Sequence, residues 1–274
     1  MSPFFNIFGF NLPAYGLMTV AGFAAAALVL FLRNRAFKLV GDDVLNTAIC
    51  AAVGVAVGGK ILYLIVSIPI FIKYASIIFS SFEMFEIFFV QGSVFYGGLI
   101  GALLFSYLYL KKNKLDIKQY GDLFAPAIPV FHMFGRLGCY FAGCCYGVPW
   151  EHGIVFHDSL GAPNDIALFP TQLVEVGFNA LIFIALMIIG RFCATKGRLI
   201  LYYLLMYAPF RFVNEFFRGD EIRGVWLLST SQWVSIGLFA FTVFLFLRGR
   251  KARVADGEEK PESDDDSGDG KQET

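Results

Sequence analysis

Long apolar runs separated by short polar or basic stretches dominate the chain, at lengths that suit membrane helices better than core strands. Seven candidate spans follow, at 15–32, 44–66, 93–110, 123–134, 171–189, 199–210 and 232–247. Several fall short of the ~20 residues of a straight crossing, so their ends must extend into neighbouring residues. The fourth is broken by proline. The expected fold class is therefore all-α: a polytopic integral membrane protein with about seven transmembrane helices. Gly54-Val-Ala-Val-Gly58 and Gly97-Gly-Leu-Ile-Gly101 carry the small-xxx-small spacing that lets two helices approach closely.

Basic residues fix an expected orientation. Arg33, Arg35 and Lys38 follow the first span, and Lys111, Lys112, Lys114 and Lys118 the third. Arg191, Lys196 and Arg198 follow the fifth, and Arg248, Arg250, Lys251 and Arg253 the seventh. The positive-inside rule puts these clusters in the cytoplasm, giving an N-out, C-in topology that requires an odd number of spans. The outer connections, 67–91, 136–170 and 211–231, hold or flank the unusual polar residues, so the active surface is expected at the outer leaflet. The first of them is aromatic and apolar, a segment suited to lie along the interface.

Composition sharpens this picture. The 274 residues are 57% hydrophobic and include 32 Phe, while only 16% are charged, against roughly 25% in soluble domains. The formal net charge of zero hides a segregation, because the end of the chain is acidic, polar and free of aromatics. Two parts are expected: a membrane domain over 1–250 and a disordered acidic cytoplasmic tail over 251–274. Residues 1–12 lack the basic n-region of a signal peptide, so no cleavage is expected. Nothing in the charge pattern points to nucleic acid.

The most informative residue is Arg136, within Phe131-His-Met-Phe-Gly-Arg-Leu-Gly-Cys-Tyr-Phe-Ala-Gly-Cys-Cys-Tyr-Gly147. A guanidinium among apolar residues at bilayer depth costs several kcal/mol unless it is partnered, which makes it a functional candidate by default. The surrounding glycines predict that the backbone leaves helical geometry here, as happens only where it is buried in protein or lines a cavity. An arginine fork suits a phosphate. Arg211, Glu215 and Arg218 fall on one helical face, either as a structural ion-pair ladder or with Arg211 as a second anion ligand, and Asp220 and Glu221 follow them. Gln172, Glu175 and Asn179 form a polar stripe expected to face the bundle interior, as interhelical glue or as substrate contacts. Asp122 reads as a helix cap. Cys50 and Cys193 read as small core residues. Cys139, Cys144 and Cys145 read as packing residues, as a disulfide of Cys139 with Cys144 or Cys145, or as a zinc site that draws in His132 or His157.

These blocks resemble the bacterial prolipoprotein diacylglyceryl transferases over residues 5 to about 250. Tyr15-Gly-Leu-Met resembles the family's first-span motif, and Gly58-Gly-Lys-Ile-Leu-Tyr63 its Gly-Gly-Arg motif with Lys for Arg. Phe95-Tyr-Gly-Gly-Leu-Ile-Gly101 is similar to its His-Gly-Gly block, and Gly135-Arg-Leu-Gly138 to its arginine loop. Pro170-Thr-Gln-Leu-Val-Glu175 and Phe210-Arg-Phe-Val-Asn-Glu-Phe-Phe-Arg218 resemble the later blocks, in the right order.

The resemblance implies transfer of a diacylglyceryl group from phosphatidylglycerol to the lipobox cysteine of a prolipoprotein signal peptide. A thioether forms and glycerol phosphate leaves, in a multi-pass protein of the bacterial inner membrane that serves lipoprotein maturation. It implies no metal and no organic cofactor. Tyr96, Arg136 and Arg211 are the residues it assigns to catalysis. Tyr15, Gly97, Gly98, Gln172, Glu175 and Glu215 join Arg136 and Arg211 around the lipid headgroup. Two departures stand out: Tyr96 replaces a histidine, and Cys139 and Cys144 stand where many members have Asn and Glu. A phenol, with an ordinary pKa near 10, is a poor base at neutral pH, so the base is left unassigned. Two rival readings are a paralogue with another acceptor and a non-catalytic membrane thiol-redox or metal-binding protein.

Overall fold

The computed structural model of the chain describes residues 4–7, 9–86, 88, 94–157, 159, 161–192, 197–219, 224–225 and 227–255. Among the described residues ten α-helices carry it: α1 (Ala14–Phe37), α2 (Gly41–Val66), α3 (Ile68–Ile78), α4 (Phe82–Glu86), α5 (Phe95–Lys112), α6 (Ile117–Phe124), α7 (Ala127–Ala142), α8 (Thr171–Phe192), α9 (Leu199–Asn214) and α10 (Thr230–Ala255). Four of the described helical stretches are long and apolar enough to cross a membrane: α1, α2, α8 and Thr230–Arg248 of α10. Cys193, Asp220, Glu221 and residues 256–274 lie outside the described residues, while α10 reaches past the domain boundary expected at 250.

The helical expectation holds, with short strands beside the helices. Among the described residues three two-stranded antiparallel sheets lie before and between the helices: β1 (Phe4–Ile7) with β2 (Phe10–Pro13), β3 (Pro149–Val155) with β4 (Ala167–Leu168), and β5 (Gly224–Val225) with β6 (Leu228–Ser229). Loops packed against buried elements must pair their own N–H and C=O groups, and short hairpins do this locally.

Helix packing follows the glycine pattern. α2 and α5 form the most intimate pair, and α1, α7, α8, α9 and α10 pack each on the next. A Cβ on Gly54 or Gly101 would strike the other's backbone, and the same holds for Gly58 and Gly97. The two small-xxx-small stretches thus meet each other, the arrangement that lets backbones approach without side chains between them.

Polarity is distributed inside out relative to a soluble domain. Gln172, Glu175, Asn179, Arg211 and Asn214 are each at most 5% exposed, while Leu28, Phe31, Ile61, Leu181, Ile184 and Phe241 stand exposed around them. Apolar surroundings and an enclosed polar interior produce this arrangement.

The fourth predicted span resolves into two pieces. α6 ends at Phe124, the chain turns at Ala125 and Pro126, and α7 restarts at Ala127. Asp122 does not cap this span, as its position in sequence suggested. Its carboxylate accepts from the N–H groups of Gly197 (2.7 Å) and Leu199 (2.9 Å) and so caps α9, while Asp116 caps α6 through the Lys118 N–H. The N–H of Leu199, the first residue of α9, and that of Gly197 just before it are thus satisfied across the bundle.

Candidate functional site

The expectation of irregular backbone around Arg136 is corrected by the fold. α7 stays helical through Gly135, Arg136 and Gly138 and ends only at Gly143, whose φ of 69° makes it a left-handed C-cap. Gly138 serves close approach instead, since a Cβ there would press on Tyr15 of α1 at 3.0 Å. The departure from helix begins one turn later, at Gly143–Cys145.

Glu175 is the hub of the site. The stripe Gln172, Glu175, Asn179 lies on the buried face of α8, as the three- and four-residue spacing predicted. Its carboxylate takes Arg136 Nε on Oε2 and Arg211 Nη1 on Oε1 at 2.9 Å. Asn214 Nδ2 donates to the same Oε1 at 3.0 Å. Arg211 Nη2 then reaches Glu215 Oε2 at 2.7 Å, and Arg218 Nη1 approaches that oxygen at 3.6 Å. The predicted ladder of Arg211, Glu215 and Arg218 is present even though the chain narrows to a 3-10 turn at Glu215–Phe217. Ladder and arginine loop belong to one network, joined through Glu175.

Charge bookkeeping gives this network its character. Among the described residues it contains three guanidinium groups and two carboxylates, with Arg218 the least buried of the arginines. Arg136, Arg211, Glu175 and Glu215 are all at most 9% exposed. Those two guanidinium groups and two carboxylates balance one another, as buried charges must. The Arg136–Glu175 pair engages the guanidinium through Nε.

The loop after α7 is tied to both partner helices. Gln172 Nε2 donates to the Cys144 carbonyl at 2.8 Å and Thr171 Oγ1 to the Cys145 carbonyl at 2.7 Å. Val148 N–H bonds the Phe217 carbonyl, Phe169 N–H the Val148 carbonyl, and Gly219 N–H the Tyr146 carbonyl, each at 2.9 Å. The segment that follows Arg136 thus bridges the start of α8 to the end of α9, which holds Glu175 and Arg211 in register with Arg136.

The other predicted residues are spread around this centre. Tyr15 packs on Gly138 and is half exposed. Gly97 and Gly98 turn their bare faces to Gly58 and Val55 of α2, in agreement with the packing reading of that block. Tyr96 lies beside them on the opposite side, with its hydroxyl 3.3 Å from the carbonyl and hydroxyl oxygens of Ser231 in α10. It heads an apolar groove of about 360 Å³ lined by Leu99, Ile100, Leu103, Val234 and Phe241 among others. His132 is buried, with Nε2 3.5 Å from the Tyr207 hydroxyl, and His157 pairs with Asp165 at 2.7 Å. The zinc reading that needs either histidine is therefore not the arrangement found. Cys139, Cys144 and Cys145 are free thiols rather than a disulfide, with their three sulfurs within 4.8 Å of one another.

Three contributors escaped the sequence reading: Asn214, Tyr207 and Thr171. Asn214 and Tyr207 lie three residues after and four before Arg211 on α9, so a wider search of that helical face would have found them. Thr171 is the first residue of α8, and no local signal told of its bond to the Cys145 carbonyl.

Comparison with known proteins follows the same outline. The profile of the prolipoprotein diacylglyceryl transferase family matches residues 3–248. A phosphatidylglycerol–prolipoprotein diacylglyceryl transferase of Clostridium tetani is 36% identical over 249 residues, covering 88% of this chain and 97% of its own. Transferase 2 of Clostridium perfringens is 34% identical over 252 residues, 90% and 96% of the two chains. The same-named protein of Geobacter sulfurreducens is 31% identical over 228 residues, 80% and 83%.

Proposed function

The chain belongs to the prolipoprotein diacylglyceryl transferase family, and from that premise we propose that it moves the diacylglyceryl group of phosphatidylglycerol onto the cysteine thiol of a prolipoprotein. The observation that carries the reading is the pair of buried guanidinium groups, Arg136 and Arg211, held side by side on the one carboxylate of Glu175. A phosphodiester headgroup brings one negative charge and a pair of oxygens suited to an arginine fork.

In the proposed reaction the acceptor sulfur, as thiolate, attacks the glyceryl carbon next to the phosphate oxygen. The carbon–oxygen bond breaks, a thioether forms, and glycerol phosphate leaves with the electron pair. Negative charge on the phosphate grows along this path, so fixed cations in a water-poor site stabilise the transition state more than the ground state. Arg136 and Arg211 supply those cations. Glu175 and Glu215 hold the two guanidinium groups in place, and Gln172 fixes the loop that follows Arg136. Tyr15, on the α7 face of α1, borders the arginine loop. The apolar groove headed by Tyr96 between α5 and α10 suits an acyl chain, with Gly97 and Gly98 allowing the close α2 contact that backs it. The transfer itself uses no organic cofactor in this reading.

The reading places the protein in the bacterial inner membrane with seven crossings, formed by α1, α2, α5, α6 with α7, α8, α9 and α10, and with residues 251–274 in the cytoplasm. The lipobox of the acceptor signal peptide would meet the site at the outer leaflet. Alkaline phosphatase fused after Lys114 is expected to be inactive and after Ser231 active. Activity at the first site with none at the second would reverse the topology.

The test of function is rescue of a strain depleted of its own transferase, together with transfer of labelled diacylglyceryl from phosphatidylglycerol to a lipobox peptide by the purified protein. Failure of both would remove the reading. Tyr96 offers a finer probe. Its hydroxyl can orient the headgroup or donate to the leaving phosphate oxygen without ionising. Tyr96→Phe is expected to cut turnover about tenfold, the scale of one lost hydrogen bond. Tyr96→His is expected to keep or restore it, because imidazole can donate a hydrogen bond and also act as base. A Tyr96→Phe enzyme at full rate beside an inactive His132→Gln enzyme would shift the assignment to His132.

A further inference from the structure

The three cysteines after Arg136 are not used by the proposed transfer, yet their placement is specific. Cys139 lies in the last turn of α7, one turn after Arg136, and Cys144 and Cys145 follow the left-handed cap at Gly143. Adjacent cysteines in extended chain would point to opposite sides. Here Cys145 adopts a φ of 58°, unusual for a residue with a side chain, and the three sulfurs come within 4.8 Å of one another. Such a backbone persists only when its surroundings hold it. They do: the Cys144 N–H bonds the Cys139 carbonyl at 3.0 Å, and Gln172 and Thr171 bond the carbonyls of Cys144 and Cys145.

We propose that Cys139, Cys144 and Cys145 form a site for one thiophilic metal ion of the zinc class, with an exogenous thiol as the fourth ligand. Tetrahedral zinc with sulfur ligands at ~2.3 Å sets neighbouring sulfurs ~3.8 Å apart, so the observed cluster needs to contract by about an ångström at most. A disulfide would use two of the sulfurs and leave the convergence of the third unexplained. Charge also suits the ion. Three thiolates around a dication carry a net negative charge, with Arg136 one turn away and Arg218 held nearby through its strand-like pairing with Gly147. Neither histidine enters the set, since His132 faces Tyr207 and His157 faces Asp165.

Three protein ligands leave one tetrahedral position open, the pattern of catalytic rather than closed structural zinc sites. A thiol that enters it is deprotonated outright: the S–H bond breaks, its proton passes to water, a metal–sulfur bond forms, and nothing is oxidised or reduced. That the entering thiol is the acceptor cysteine rests on the proposed transferase reading; the metal site does not.

Cobalt(II) serves as the probe, added to the detergent-purified chain in a phosphine reductant. The expected result is one cobalt per chain, with sulfur-to-cobalt charge-transfer absorption that zinc abolishes and that is lost in the C139S/C144S/C145S variant. X-ray absorption of the zinc-loaded parent should show three sulfurs at ~2.3 Å, a readout that does not depend on the variant folding. Absent charge transfer, a shell of only nitrogen and oxygen, or a disulfide among the three in protein that takes up no metal would each overturn the site. A lipobox peptide with its cysteine should then shift the cobalt spectrum, and the serine peptide should not. Metal uptake with no response to either peptide would overturn the thiol step, and a chain that binds metal but transfers no lipid would fail the transferase reading alone.

Discussion

Arg136→Lys is expected to lower kcat/KM for phosphatidylglycerol at least a hundredfold while the protein still inserts and folds. Lysine keeps the charge, but it is a point donor on a flexible stem and cannot meet Glu175 through Nε while presenting a two-pronged edge to a phosphate. Loss of one donor aimed at developing negative charge costs ~10²–10³ in rate. The assay is transfer from labelled phosphatidylglycerol to a lipobox peptide, beside a melting curve in detergent. A lysine variant with the parental rate would remove Arg136 from the headgroup and leave it as the structural partner of Glu175.

Glu175→Gln is expected to have the largest effect on stability. The glutamine is the same size and can still hydrogen-bond, but it strips the counter-charge from two buried guanidinium groups. Removing one partner of a buried ion pair typically costs ~3–5 kcal/mol. The melting temperature should fall clearly. Activity should fall through kcat rather than through weaker lipid binding, since the site gains positive charge while its arginines lose their anchor. A Glu175→Gln protein that melts with the parent would show that Glu215 and the surrounding packing hold the arginines without the Glu175 charge.

The two expectations differ in how readable they were. Arg136 announced itself, because a lone cation in an apolar run has few harmless explanations. The polar stripe on α8 was equally legible, since its spacing alone selects one helix face. Glu175 as the shared anchor of two arginines was not. Arg136, Glu175 and Arg211 come from three different helices, and no local pattern encodes which carboxylate meets which guanidinium. Asp122 makes the same point in reverse: its place in the chain suggested a cap for its own span, whereas it caps α9 from across the bundle.

The sequence by itself determined the solvent, the helices and the residue types of the site. Hydropathy and the small-xxx-small spacing are local properties, and the bilayer punishes any backbone that does not satisfy itself within the segment. What only the tertiary structure decided was which polar groups meet. The glycines around Arg136 looked like helix breakers, but neighbours at Tyr15 and beyond turned Gly138 into a packing surface and kept α7 helical to Ala142. The three cysteines, scattered over seven residues of chain, became one cluster only because Gln172 and Thr171 hold the loop against α8. Hydrogen bonds and ion pairs between distant segments are directional and short in range. Their partners are chosen when helices pack, after everything that a one-dimensional pattern can specify has been spent.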